Sequence, residues 1–174
     1  MKEITNSAIA SLFALAATAA FAQSGAPNDA QIAGIVVTAN TVDIDAGKLA
    51  QKTSKNKEVQ HFAKQMVTDH SGVNKQATAL VKRLKVKPED SDTSKSLKDG
   101  GDANIGKLKG LKGAEFDKAY VDNEVTYHQA VIDALDKTLI PGAKNAQLKN
   151  TLEKVRPAFV AHLEHAKQIQ QSLK

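Results

Sequence analysis

The chain has 174 residues, a formal net charge of +5, 41% hydrophobic and only 4% aromatic residues, and no cysteine. That length suits a single domain with its own core. The lack of cysteine excludes thiol chemistry and a disulfide scaffold.

Residues 1–22 read as a secretory signal. Lys2 gives a positive start, residues 8–20 an apolar run rich in Ala and Leu, and Ala20-Phe21-Ala22 a small-x-small cleavage site. An apolar run of about 15 residues falls short of the roughly 20 that span a bilayer. Gln23-Ser24-Gly25-Ala26-Pro27 follows at once, so cleavage is expected rather than anchoring. No later stretch is apolar enough to span. Residues 23–174 are therefore read as one exported domain, periplasmic or envelope-associated.

Four later segments carry a helical apolar period. In residues 29–53 it runs through Ile32, Ile35, Ala39, Val42, Ala46 and Leu49, with Asn28 or Asp29 as the N-cap. In residues 56–85 it runs through Val59, Phe62 or Ala63, Met66, His70, Val73, Ala77, Leu80 and Leu84. Residues 86–112 form a long charged connection with Pro88 and Gly100-Gly101, the glycines being read as a flexible break. In residues 113–139 the stripe is Phe116, Tyr120, Glu124, Tyr127 or His128, Val131, Leu135 and Leu139, stopped by Pro141-Gly142. In residues 145–173 it is Leu148, Leu152, Val155, Phe159, His162, Ala166, Ile169 and Leu173.

The fold class is all-α. Short links within each pair of helices force antiparallel neighbours, and the long link between helices two and three permits one crossover. The expected architecture is a ferritin-like four-helix bundle of two antiparallel hairpins. Residues 82–112 hold nine basic residues against five acids, but one Arg and no aromatic. Nucleic-acid binding would want arginines and stacking rings there. The segment is read as a solvated lysine-rich link, with weak attraction to anionic envelope polymers as the partner it could serve.

Chemistry rests on the apolar stripes. His70, His128 and His162 each fall on one, near the middle of three different helices. Asp43 lies on the flank of the first stripe, and Asp69, Glu124 and Tyr120 are further candidates for polar groups near the interior. Imidazoles from three helices with a nearby carboxylate suit zinc, copper or iron. Mirroring the last two helices about the turn at 141–144 sets His162 level with Asn123 or Glu124. His128 is then about 6–8 Å away at 1.5 Å per residue. On that register the histidines need not meet, and a hydrogen-bonded polar layer fixing helix register is the first reading.

A dinuclear iron centre needs Glu-x-x-His on two helices. Val67 and Phe159 stand three before His70 and His162, so ferroxidase or oxygenase chemistry is not expected. His61 and His165 are read as solvated, and Pro157 as a kink or restart one turn before His162. No nucleophile–base pair and no Gly-rich phosphate loop is present. The function expected is a non-catalytic binding or stress-protection module. The alternative is a transition-metal or redox protein using His70, His128 and His162 with Asp43 or Glu124.

Several elements resemble one known family. They are Asp43-Ile44-Asp45-Ala46-Gly47-Lys48-Leu49-Ala50, and Phe62-Ala63 with Met66-Val67-Thr68-Asp69-His70. Gly113-Ala114-Glu115-Phe116-Asp117-Lys118-Ala119-Tyr120 with His128, and Pro157 with His162-Leu163, complete the set. Over roughly residues 30–173 the chain is similar to the exported bacterial family known as domain of unknown function 4142, of the ferritin-like group. The resemblance implies an envelope-associated helical bundle without an established activity, and it points at Asp69, His70, Tyr120, His128 and His162. The chain departs from the pattern twice. Thr126-Tyr127 precedes His128 where an acidic residue is common, which weakens a metal site. Gly100-Gly101 interrupts a connection that is often helical, which suggests a looser crossover.

Overall fold

The structure, a computed structural model, describes residues 26–173. The signal-like segment 1–22 lies outside the described residues. Those described are helical, with no β-strand among them. The helices are α1 (Asp29–Thr53), α2 (Lys57–Leu84), α3 (Asp92–Lys109), α4 (Gly113–Ala134) and α5 (Ala146–Ser172). A π-helical turn (Leu135–Leu139) and a last α turn (Ile140–Gly142) carry α4 onward.

Local chemistry explains the starts. Asn28 accepts a hydrogen bond from the Gln31 amide at 2.9 Å, while the Gln31 side chain accepts from the Asn28 amide at 3.1 Å. This reciprocal cap fills donors that a helix start leaves open. Asn56 and Asn145 cap α2 and α5 through their Oδ1 atoms.

Helices α1 and α2 pair as one antiparallel hairpin, and α4 and α5 as the other. The 86–112 connection is the main addition to the expected picture. It contains α3, which runs through Gly100-Gly101 without a break and packs along the back of α1. The glycines are a contact surface there, not a loose joint. A Cβ on Gly101 would come within 2.7 Å of Val42 Cγ2, so only a bare Cα admits α3 this close. One end of the connection docks the same way. The Glu89 amide donates to Ala30 O at 3.0 Å, and the Glu89 backbone lies over Gly34. Leu108 at the other end joins Ala46 and Ala50 in one apolar cluster. The chain thus runs back along α1 before α4 starts. The four main helices point up, down, down and up, as in ferritin-like bundles with one crossover.

Because α3 covers it, α1 has two buried sides. Val42, expected on the central seam, faces Gly101, and the seam rotates to Asn40, Asp43, Gly47 and Ala50. Two further expectations are corrected. Pro141 does not end α4: lacking an N–H, it is met by a widened ladder in which the Ile140 amide reaches back to Leu135 O, and the helix continues to Gly142. Pro157 does not restart α5, which passes through it.

The core has two apolar halves. One gathers Ile32, Ile35, Leu80, Leu135, Leu152 and Phe159; the other gathers Ala50, Phe62, Met66, Phe116, Tyr120 and Ile169. Asn40, Asp43, His70, Glu124, His128 and His162, all buried, lie on the helices between these halves.

The close approaches give a paired test. A Cβ at Gly34 would run into the Glu89 carbonyl group, whose carbon would be only 3.1 Å away. Gly34→Ala should therefore lower the urea-unfolding free energy by about 1–3 kcal/mol. At Gly72, in mid-α2, nothing lies within 4 Å of an added Cβ. Gly72→Ala should stabilise by up to about 1 kcal/mol through helix propensity alone. Equal effects of the two changes would contradict the docking of residue 89 on α1.

Candidate metal centre

Each histidine is aimed inward by the helix that carries it. His70, His128 and His162 are 1%, 0% and 3% exposed. Their ring centroids form a near-equilateral triangle, 5.6 Å for His70–His128, 5.3 Å for His70–His162 and 5.4 Å for His128–His162. One ring nitrogen of each lies within 4.8 Å of the other two. The offset expected from the mirrored hairpin does not exist. The helical continuation through Gly142 moves the pivot of the α4–α5 hairpin toward Asn145, which brings His128 and His162 level.

Hydrogen bonds assign the ring protons. Asn40 Nδ2 donates to Val36 O at 2.8 Å, which leaves Asn40 Oδ1 facing His70 Nδ1 at 2.6 Å. Nδ1 must then carry a proton, and Nε2 is the nitrogen that faces the interior. His128 Nδ1 donates to Glu124 O at 3.0 Å, with Glu124 Oε2 also 3.4 Å away. His162 Nε2 donates to Asp69 Oδ2 at 2.9 Å. In each ring one nitrogen is committed outward. The inward atoms, His70 Nε2, His128 Nε2 and His162 Nδ1, have no hydrogen-bond partner.

Asp43 completes the cluster. Its Oδ2 lies 2.8 Å from His70 Nε2 and 3.5 Å from His128 Nε2, yet neither Asp43 oxygen has an aligned hydrogen bond. The carboxylate, expected on the flank of α1, is 1% exposed and central. Burial pushes its carboxyl up, but the charge and closeness of His70, joined by His128 and His162, override burial and hold it below the usual 3.8. Burial drives the His128 imidazole down to about 4, against the pull of Asp43. Burial likewise lowers His162, opposed by Asp69. An ionised carboxylate and an imidazole lone pair do not sit 2.8 Å apart with nothing between them. A proton or a metal cation has to stand there.

The remaining candidates take supporting positions. Glu124 faces the outward nitrogen of His128, and burial with the nearby Asp43 charge raises its carboxyl well above the usual value. Tyr120 is fully buried, its hydroxyl without a partner, and burial followed by Glu124 and Asp43 raises its pKa as well. Asp69 is not a core group. Its side chain is 42% exposed and reaches inward only to hold His162. His165 is not simply solvated: it is half-buried, edge-on to Phe62 at 5.2 Å and 3.3 Å from Gln65 Oε1. His61 is exposed, as expected. Asn40 was not foreseen; its one signal was a position three before Asp43 on α1. Two overlapping sets of buried donors could hold a metal ion, His70 with His128 and His162, and Asp43 with Glu124 and His128. Asn40 and Asp69 orient rings from behind as second partners of metal-binding histidines do.

Comparison with known proteins adds the family and the fold. Among curated proteins none matches the chain significantly. A DUF305 protein of Streptomyces coelicolor, named as a candidate secreted protein, has a similar crystal structure with a TM-score of 0.66 at 12% identity. The match covers 90% of this chain and 93% of that one, and it shows the fold alone. No helix among the described residues is long and apolar enough to cross a membrane. The model of the family described as a domain of unknown function (DUF4142) matches residues 14–169, and the chain belongs to that family.

Proposed function

We propose that this is an exported, non-catalytic protein that holds one transition-metal ion through His70, His128, His162 and Asp43. The observation carrying this reading is the convergence of three imidazole nitrogens and a carboxylate in one buried layer. One nitrogen of each ring is held by an outward acceptor, and the other faces the interior, where His70 Nε2 lies 2.8 Å and His128 Nε2 3.5 Å from Asp43 Oδ2. Neutral imidazoles with one carboxylate suit zinc, copper(II) or iron(II). His70, His128 and His162 lie close enough to share an ion, Asp43 stands beside His70 and His128, and all four are nearly sealed from solvent. That favours holding an ion over turning one over. Export rests on the signal-like start of the chain, and attraction of the exposed lysines of α3 to anionic polymers is a secondary proposal.

Purified protein reconstituted with zinc or copper(II) and then dialysed should retain about one equivalent by elemental analysis. His128→Ala and His162→Ala, checked for helix content by circular dichroism, should lose it. Metal at a thousandfold excess over its Kd should add about 4 kcal/mol to the unfolding free energy. Retention below about a tenth of an equivalent by the wild type would reject the reading.

The metal-free protein carries its own signature. His128 titrates at about 4 when folded and near 6.5 when unfolded. Between those values the unfolded chain binds a proton that the native protein refuses, so stability falls as pH falls. The loss should be on the order of 3 kcal/mol between pH 6.5 and 4, read from urea midpoints in chelator. His128→Gln should flatten that dependence.

A further inference from the structure

The groups that hold the three imidazoles from outside differ in exposure. Of the three groups that hold the imidazoles from outside, Asn40 and Glu124 are each 1% exposed. The third, Asp69, has 42% of its side chain in solvent while its Oδ2 grips His162 Nε2 at 2.9 Å. Asp69 thus links solvent to the buried His162 ring on the seam between α2 and α5.

The same seam has a gap in its helical hydrogen-bond ladder. Pro157 lies five residues before His162 and cannot donate to the Glu153 carbonyl, so α5 lacks a rung of its ladder there. Below Asp69, the seam is bridged by Gln65 and His165, a weak 3.3 Å contact. His162 is also the only one of the three whose outward partner sits on another, exposed part of the surface. His70 is tied to buried Asn40, and His128 to the carbonyl of its own helix.

We propose that Asp69 and His162 form the loading door of the metal centre. The inference rests on the metal-binding reading above. The exposed Asp69 carboxylate takes a hydrated divalent cation from solvent by displacing one of its waters. The His162 ring then releases its hydrogen bond and turns its free Nδ1 toward that ion. It accepts the ion as further waters leave, and swings back to re-form Nε2–H···Oδ2. Only metal–ligand and hydrogen bonds exchange; no electron moves and His162 keeps its proton. The chain carries a formal charge of +5, so a cation approaching it is repelled at long range. An acid at the door answers that repulsion locally. Asp69 is a positioning residue for His162 and a capture site for the ion, not a member of the final shell.

The test uses the full mature chain and cobalt(II), whose visible spectrum reports the inner shell. Loading is followed by stopped flow and release by excess EDTA, for wild type, Asp69→Asn, Asp69→Ala and the control Asp45→Asn, an exposed acid on α1. Asp69→Asn keeps an acceptor for His162 but removes the charge; loading should slow by about tenfold and lose its dependence on ionic strength. Asp69→Ala also frees the ring; affinity should fall roughly ten- to a hundredfold, with faster release. The spectrum of the loaded protein should stay as in wild type in both variants, with the change confined to loading and release, which a merely structural role would not give. Asp45→Asn should behave as wild type. Wild-type loading with rates in both Asp69 variants within about twofold of it would overturn the door and leave the metal reading standing. A wild type that binds no cobalt or zinc would overturn both.

Discussion

The structure depends on one unresolved confrontation: the Asp43 carboxylate faces two imidazole nitrogens whose outward partners have already been chosen by Asn40 and Glu124. Burying polar groups without partners costs a few kcal/mol each. This layer holds several such atoms between two apolar halves that would pack well without it. A sequence selected only for stability would fill these positions with leucine or phenylalanine. The polar layer is the costly part of this core, and its side chains are ones that could hold an ion.

The surrounding architecture divides labour around the layer. Helix α1, which carries Asp43 and Asn40, has α2 on one side and α3 on the other. The Asp43 carboxylate therefore stands on a helix covered from two sides. Helix α5 carries His162 behind a proline and a half-exposed acid. Asp43 thus sits on the helix covered on two sides, and His162 on the helix that carries Pro157. Neighbouring positions on α2 serve both: His70 turns into the layer while Asp69, about 100° around the helix, reaches its rim.

Much of this was legible in residue spacing. Phe62, Met66, His70, Ala77 and Leu80 lie three, four or seven apart, and all are buried on one face of α2. The same period put Glu124 and His128 inward on α4 and His162 inward on α5. What spacing could not show was any feature that depends on a partner. Asp43 replaced Val42 on the seam because α3 claims Val42, and α3 was hidden by a polar, glycine-bearing sequence whose packing value lies in missing side chains. Asn40 looked like an ordinary polar residue until His70 was placed beside it. The meeting of His128 and His162 depended on where a helix with Pro141 ends, and the widened ladder there moved the pivot. His165 looked solvated because its neighbour Phe62 belongs to another helix.

That pivot has a consequence for how the chain can vary. The depth of His128 and His162 is counted outward from the α4–α5 turn, which Asp29 clamps by accepting from the Lys144 and Asn145 amides at 2.8 and 2.9 Å. Surface turns ordinarily absorb insertions at little thermodynamic cost. Here an added residue would either break the clamp or slide one imidazole past the other by about 1.5 Å. A stretch of chain that touches no ligand, at the far end of the molecule, thus works as the ruler for the centre, and its length should drift far less than its composition.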